Sequence, residues 1–174
     1  MKEIRILLLM VIAVLLFNLS YAQSNLKNIV ENAGNSKDLT TLLAVIKASG
    51  LATTLQTPGP FTVFAPNNQA FGLLPRETLG NLLKVENKIM LTSVVSYHVV
   101  SGTLDSKELL RLIKAGNGKA ELNTVEGGKL WASMKGNRII LTDEMGGSAA
   151  ISIKDEYQSN GVIHVIDHVV LPKS

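Results

Sequence analysis

The segment NGVIHVIDHVVLP, Asn160 to Pro172, governs how the rest of the chain is interpreted. Six of its residues are Val or Ile, and β-branched side chains favour a strand over a helix. On a helix, His164, Asp167 and His168 would share one face and resemble a metal or acid–base site. The composition instead predicts a strand, entered through a tight turn at Asn160 and Gly161.

The strand interpretation separates the three polar side chains. His164 and His168 point to one face and Asp167 to the other. At about 3.3 Å per residue the two histidines lie about 13 Å apart. One metal ion, with His–metal bonds of about 2 Å, cannot bridge that distance. We therefore predict no metal site and no cofactor. One histidine should pack in or beside the core with its ring N–H bonded, and the other should lie at the strand's edge.

The second half of the chain alternates apolar and polar residues between glycine-rich turns. This pattern predicts an antiparallel meander from Lys119 onward, with strands at 130–134, 138–142 and 149–153. A solvated loop, Asp143 to Gly147, separates the last two. The chain before Lys119 has apolar residues at helical spacing, with Ser36 as an N-cap and Gly50 as a C-cap glycine. Asp105 and Glu108 have capping-box spacing and predict the start of a further short helix. Helices grouped before strands indicate an α+β fold.

The front of the chain has the layout of a secretory signal peptide. Lys2 and Arg5 precede an unbroken run of twelve apolar residues, Ile6 to Phe17, and a small-x-small cleavage site ends at Ala22. The run is shorter than the roughly 20 residues of a membrane span. We predict cleavage near Ala22, a secreted or periplasmic protein, and one domain over 23–174. The alternative is an uncleaved anchor.

Composition narrows the function classes. Cleavage would remove Lys2, Arg5 and Glu3, leaving 15 of 17 basic and 13 of 14 acidic residues and a net charge near +2. A net charge this small argues against a nucleic-acid-binding surface. The lack of Lys/Arg runs interleaved with aromatic residues argues against it as well. The chain has no cysteine, so no disulfide supports the exported fold. A packed core must do so, and about 150 residues suffice for one.

Three motifs resemble the signatures of fasciclin domains, in the family's order. They are GPFTVFAPNNQAF (Gly59 to Phe71), YHVVSG (Tyr97 to Gly102) and the segment from Asn160 to Pro172. Together they frame nearly the whole mature chain. The resemblance implies a wedge-like domain with an antiparallel β-sandwich core and helices of the first half packed against it. It also implies extracellular adhesion, by single domains in exported bacterial proteins and by tandem domains in animals.

Most motif residues have a structural explanation in their own chemistry. Phenylalanines supply core bulk, Pro66 removes a donor and directs the chain out of its strand, and Asn67 or Asn68 can cap the following turn. The motif residues for which we predict mainly structural roles are Phe61, Thr62, Val63, Phe64, Ala65, Pro66, Asn68, Phe71, Asn160, Gly161, His164, Asp167 and Pro172.

Two stretches are candidate interaction sites by the same resemblance. The first is the pair Tyr97 and His98, a region associated with integrin binding in animal fasciclin domains. The alternative for His98 is a buried histidine that fastens a helix end to a strand. The second stretch is Ile153 to Tyr157, where Lys154 and Asp155 match an animal adhesion motif. Glu156 and Tyr157 replace its aliphatic pair, which argues against integrin recognition.

The sequence contains no pattern typical of an enzyme. It lacks G-x-S-x-G, a P-loop, H-E-x-x-H and a cysteine nucleophile. We therefore expect a non-enzymatic adhesion or interaction module that contacts a protein or glycan of a cell surface or matrix. One alternative is a carrier of an apolar, pigment-like molecule in a groove between helices and sheet. The other, ranked last, is an exported hydrolase using His98 or His164.

Overall fold

The computed structural model describes residues 26–173, apart from the side chain of Arg76, so the expected signal peptide lies outside the described residues. The helices are α1 (Ile29–Asn35), α2 (Thr40–Ser49), α3 (Ala52–Leu55), α4 (Asn68–Gly72), α5 (Arg76–Leu82), α6 (Lys88–Tyr97) and α7 (Ser106–Ala115), with a 3-10 turn at Val85–Asn87 before α6. The strands are β1 (Phe61–Pro66), β2 (Val99–Ser101), β3 (Lys119–Asn123), β4 (Lys129–Lys135), β5 (Arg138–Thr142), β6 (Ser148–Gln158) and β7 (Gly161–Ile166).

Helix termini follow local chemistry in most places. Gly50 ends α2 in the left-handed region at φ 82°, as predicted. Asp105 caps α7 by accepting from the Glu108 N–H at 2.8 Å, also as predicted. The predicted cap at Ser36 is wrong, because α2 begins at Thr40.

A distant residue caps α2 instead. The Asn68 carboxamide oxygen accepts from the Thr41 N–H at 2.9 Å, and its NH2 group donates to the Lys37 carbonyl at 2.9 Å. The turn after β1 is capped by Asn67, which accepts from the Ala70 N–H. Of the two predicted caps of this turn, Asn67 is the one observed, and Asn68 instead stabilises a helix 27 residues earlier in the chain.

The strands form one mixed seven-stranded sheet in the order β2-β1-β7-β6-β5-β4-β3. All described pairings are antiparallel except that of β1 with β7, which is parallel. The Val125 N–H donates to the Val99 carbonyl at 2.7 Å and brings the two ends of the order together, so the sheet is nearly closed like a barrel. The expected α+β class is confirmed. The sheet is mixed instead of all-antiparallel, and the sandwich is not confirmed.

Strands β1 and β7 are buried on both faces. Phe64, His164 and Ile166 face the barrel interior, which α7 and the meander strands fill from the other side. Val63 and Ile163 face the opposite way, toward a second core formed by α1, α2 and α6. Because neither face meets water, β7 has no polar alternation apart from His164. Helices of the first half therefore pack on the sheet as expected.

The end of β7 differs from the prediction. The strand stops at Ile166, so His168 does not share its face with His164. The Asp167 carboxylate accepts from the Ala150 N–H at 2.7 Å, taking the place of a main-chain acceptor, and it also binds Arg138 at 3.1 Å. The chain leaves the sheet at this residue.

The beginning of β7 is held by Asn160, which is 4% exposed. Its side-chain oxygen accepts from the Ile29 N–H at 3.0 Å, and its NH2 group donates to the carbonyls of Leu55 and Thr57 at 2.7 and 2.9 Å. One amide therefore joins the start of α1, the end of α3 and the turn into β7.

We predict that Asn160→Ala lowers the free energy of unfolding by about 3 kcal/mol, because it removes three hydrogen bonds and leaves buried main-chain groups unpaired. Urea denaturation followed by circular dichroism measures this change. The control is Asn137→Ala, an exposed asparagine before β5, which should change stability by less than about 0.5 kcal/mol. Equal stabilities of the two variants would contradict the role given to Asn160.

Candidate interaction surfaces

The Tyr97–His98 pair lies at the end of α6, inside the protein. Tyr97 is fully buried and His98 is 3% exposed. The Tyr97 hydroxyl donates to the Lys129 carbonyl and accepts from the Glu144 N–H at 3.2 Å. Burial raises the pKa of Tyr97 to about 12. Neither side chain is accessible to a binding partner. The contact role that the resemblance implies for this pair stays a prediction.

His98 uses both ring nitrogens within the fold. Its Nδ1 lies 2.7 Å from the Val94 carbonyl, which can only accept, so Nδ1 carries the proton. Its Nε2 accepts from the Val170 N–H at 3.3 Å. Burial lowers the pKa of His98 to about 4, so the ring is neutral at pH 7. His98 thus joins the end of α6 to the segment that follows β7.

His164 has the opposite tautomer. Its Nε2 donates to the Leu104 carbonyl at 2.7 Å, and its Nδ1 accepts from the Asp155 N–H at 3.2 Å. Its ring stacks on Phe64 with centroids 5.7 Å apart, and burial lowers its pKa. Both buried histidines are therefore neutral, with no ring nitrogen left to bind a metal or accept a substrate proton. His168 is half exposed and contacts Asp167.

Asp143 was expected in a solvated loop, and the structure corrects this. Asp143 is 4% exposed, and its carboxylate accepts from the N–H groups of Met145, Gly147 and Leu171 at 2.7 to 3.0 Å. It folds its own loop and fastens the C-terminal segment to that loop. An aspartate four residues before a glycine is a signal for such a side-chain-capped turn, and it was available in the sequence.

The second candidate stretch, Ile153 to Tyr157, lies on a doubly bulged part of β6. Lys154 is exposed, whereas the Asp155 carboxylate accepts from the N–H and hydroxyl of Ser106 at 2.6 and 2.5 Å. Asp155 has a φ of 63°, which bends the strand here. The structure therefore separates the two matched residues: Lys154 meets solvent, and Asp155 stabilises the start of α7.

The described part of the chain, residues 26–173, contains no cluster of three His, Cys, Asp or Glu side chains that could hold a metal ion. Within that same part, every buried side-chain nitrogen and oxygen has a hydrogen-bond partner. No described helix is long and apolar enough to cross a membrane.

An exposed apolar patch, missed by the sequence analysis, lies around the start of α6. We define it by Leu83, Val85, Ile89, Met90 and Met145. Val85 is 88% exposed and Ile89 is 87% exposed, which is unusual for β-branched aliphatic side chains. Met90 and Met145 also line a cleft of about 300 Å³ that reaches Leu82 and Leu171. The sequence did hold one signal, because Ile89 is out of helical register with buried Leu91 and Val95.

A second concave site, the α7 groove, lies between α7 and strands β4 to β6. Its volume is about 440 Å³. The residues that line it are Leu110, Met134, Asn137, Arg138, Ile139, Ile151, Ser152 and Lys154. It thus lies between a helix and the sheet. The alternative hypothesis of a carrier protein puts its apolar ligand in a groove of this general kind.

Comparison with known proteins agrees with the three motifs. The family model described as Fasciclin domain matches residues 37–172. Protein sll1483 of Synechocystis sp. is 37% identical over 151 residues, which cover 87% of this chain and 77% of that protein. Transforming growth factor-beta-induced protein ig-h3 of Sus scrofa is 31% identical over 90% of this chain, which spans only 20% of that longer protein.

A solved structure has the same fold. The FAS1 domain pair of the insect cell adhesion molecule fasciclin I superposes with a TM-score of 0.74 at 17% identity, covering 83% of this chain and 51% of that one. The resemblance drawn from the motifs is therefore confirmed.

Acidification is expected to destabilise the protein through its buried histidines. In the unfolded chain His98 takes up a proton near pH 6.5, whereas in the folded protein it does so near pH 4. Between these values the unfolded state binds more protons, so the free energy of unfolding falls as the pH falls, and this loss levels off below pH 4. The loss from His98 is about 3 kcal/mol, and His164 acts in the same direction. Denaturant titrations at pH 7, 5.5 and 4 measure it.

Two substitutions separate this effect from general acid denaturation. His98→Asn should reduce the dependence of stability on pH between 6.5 and 4, whatever its stability at pH 7. His168→Asn removes a half-exposed histidine and should keep that dependence. An unchanged pH dependence in His98→Asn would contradict the assignment to His98.

Proposed function

Because the chain belongs to the fasciclin domain family, we propose that it is a non-enzymatic module that binds a protein of a cell surface or extracellular matrix through its apolar patch. The exposure of Val85 and Ile89 carries this proposal. Several large apolar side chains exposed in one stretch of chain are a candidate protein-binding surface, and the cleft beside Met90 could receive a partner's apolar side chain.

The internal use of the reactive side chains supports a non-catalytic role. The polar side-chain atoms of His98, His164 and Asp143 form hydrogen bonds with main-chain groups of this protein. A general base or nucleophile needs an atom that can reach a substrate, and none of the three offers one in this state. The hydrolase, ranked last from the sequence, therefore gains no support from either histidine.

We also propose that residues 1–22 act as a signal peptide and that 23–174 work as a single domain outside the cytoplasm. The solved neighbour comes from a cell adhesion molecule, which fits this location. Accordingly, the partner would be a protein of the producing cell's envelope or of its surroundings. A glycan is the alternative, and apolar Val85 and Ile89 suit it less well than they suit a protein.

The test compares two substitutions of the same type on two surfaces. The immobilised Ile89→Lys variant should retain at least about tenfold less envelope protein than the wild type, because the lysine charge would be desolvated at the contact. Ile153→Lys, at an isoleucine 49% exposed on β6, should retain them like the wild type. Mass spectrometry of the retained proteins measures both.

Each opposite result has a definite meaning. Loss in Ile153→Lys but not in Ile89→Lys would move the contact to the Lys154 stretch and overturn the patch. Binding that survives protease treatment of the envelope but not removal of glycans would assign a glycan partner. No retention by the wild-type protein would count against the interaction module itself.

A second candidate function is carriage of an apolar small molecule. The α7 groove favours it, because 440 Å³ falls within the roughly 300–1,000 Å³ of small-molecule sites. Its apolar wall of Leu110, Met134, Ile139 and Ile151 lies between a helix and the sheet.

A further inference from the structure

The α7 groove is lined by both apolar and positively charged side chains. Leu110 of α7 and Ile151 of β6 belong to its apolar wall, while Arg138 and Lys154 contribute the charges. The groove lining in the described structure contains two cationic side chains and no carboxylate. A ligand with an apolar body and one anionic group matches this distribution.

Of the two acids beside these residues, one pairs with Arg138 and the other is turned away from the groove. Asp155 directs its carboxylate to Ser106, at the start of α7, and not into the groove. Asp167 contacts one nitrogen of Arg138, Nη2, at 3.1 Å. A guanidinium has five N–H donors, so Arg138 can bind a second anion while it remains paired with Asp167.

The bend in β6 positions Lys154. The positive φ of Asp155 and the bulges on either side of Ile153 turn the strand away from regular pairing. As a result, Ile151 and Lys154 both line the groove, although they are three residues apart on the same strand. In a regular strand, side chains three residues apart point to opposite faces.

We propose that the α7 groove binds an anionic amphiphile with one apolar chain, of the class of long-chain carboxylates. The chain packs on Leu110, Met134, Ile139 and Ile151, and the carboxylate lies between Arg138 and Lys154. This inference rests on the second candidate function and specifies the charge and shape of its ligand. It is independent of the apolar patch, which lies around the start of α6.

The experiment separates head group from chain. Calorimetric titrations use decanoate, decanol and decyltrimethylammonium below their micelle concentrations, with purified protein from which bound lipid has been extracted. Decanoate is expected to bind one to one, and decanol about fivefold more weakly, since partly exposed ion pairs contribute up to about 1 kcal/mol. The cationic amphiphile should not bind.

Three variants assign the contacts. Lys154→Gln should lower the affinity for decanoate about fivefold and leave the affinity for decanol unchanged, because the substitution removes only a charge. Leu110→Gln should weaken both ligands, because Leu110 is part of the apolar wall and is already 41% exposed. Lys135→Gln, at an exposed lysine at the end of β4 that does not line the groove, is the control and should change neither.

The outcomes distinguish this inference from the function on which it rests. Equal binding of decanoate and decanol, with no effect of Lys154→Gln, would overturn the anion preference and leave a carrier of neutral apolar molecules. Binding abolished by Met90→Lys but not by Leu110→Gln would move the ligand to the cleft beside the patch and overturn the site. No binding of any of the three ligands would remove both the site and the carrier function.

Discussion

The parallel pairing of β1 with β7 is the constraint on which the rest of the structure depends. It places the first and third motifs side by side, from Phe61 against Gly161 to Pro66 against Ile166. The approach at its start is so close that a Cβ on Gly161 would lie 1.9 Å from the Phe61 carbonyl oxygen, and φ there is 155°. Only glycine fits both conditions. The two strands then separate the helix-covered core from the barrel interior.

The polar residues of the motifs serve this pair more than they serve a surface. Asn160 holds its beginning, Asp167 ends β7, and His164 crosses from β7 to the segment before α7. His98 and Asp143 do the same for the segment after β7. Burying any of these polar groups costs free energy unless the group finds hydrogen-bond partners inside the protein. Here main-chain N–H and carbonyl groups are those partners. The two surfaces that we propose for binding, at the start of α6 and around α7, use side chains outside this hydrogen-bond network.

Local chemistry explains what could be predicted from the sequence. Hydrophobic period and turn residues gave the meander strands and the helices with Gly50 and Asp105 at their ends, and the three motifs gave the family. The parallel partner of β7 was missed because a period of two specifies which face is buried but not which strand lies alongside. Asn68 was misjudged for a related reason, because its bond reaches Thr41, and such a long-range partner leaves no mark at the residue itself. The bond from Leu171 to Asp143 was missed in the same way, although the turn that Asp143 caps had a local signal. The exposure of Ile89 was missed because an aliphatic residue in a helix is ordinarily assigned to the core.

The burial of β7 between two partners also determines how the domain would respond to tension. When a pull on the chain acts along the axis of β7, it loads the hydrogen bonds of this strand to β1 and β6, which run across that axis. Those bonds would be loaded together, in shear, instead of being opened one after another from an end. The bonds of Val170 to His98 and of Leu171 to Asp143 would meet the load first and protect the strand behind them. An attachment that must stay folded while it is stretched gains mechanical resistance from this placement of its last strand.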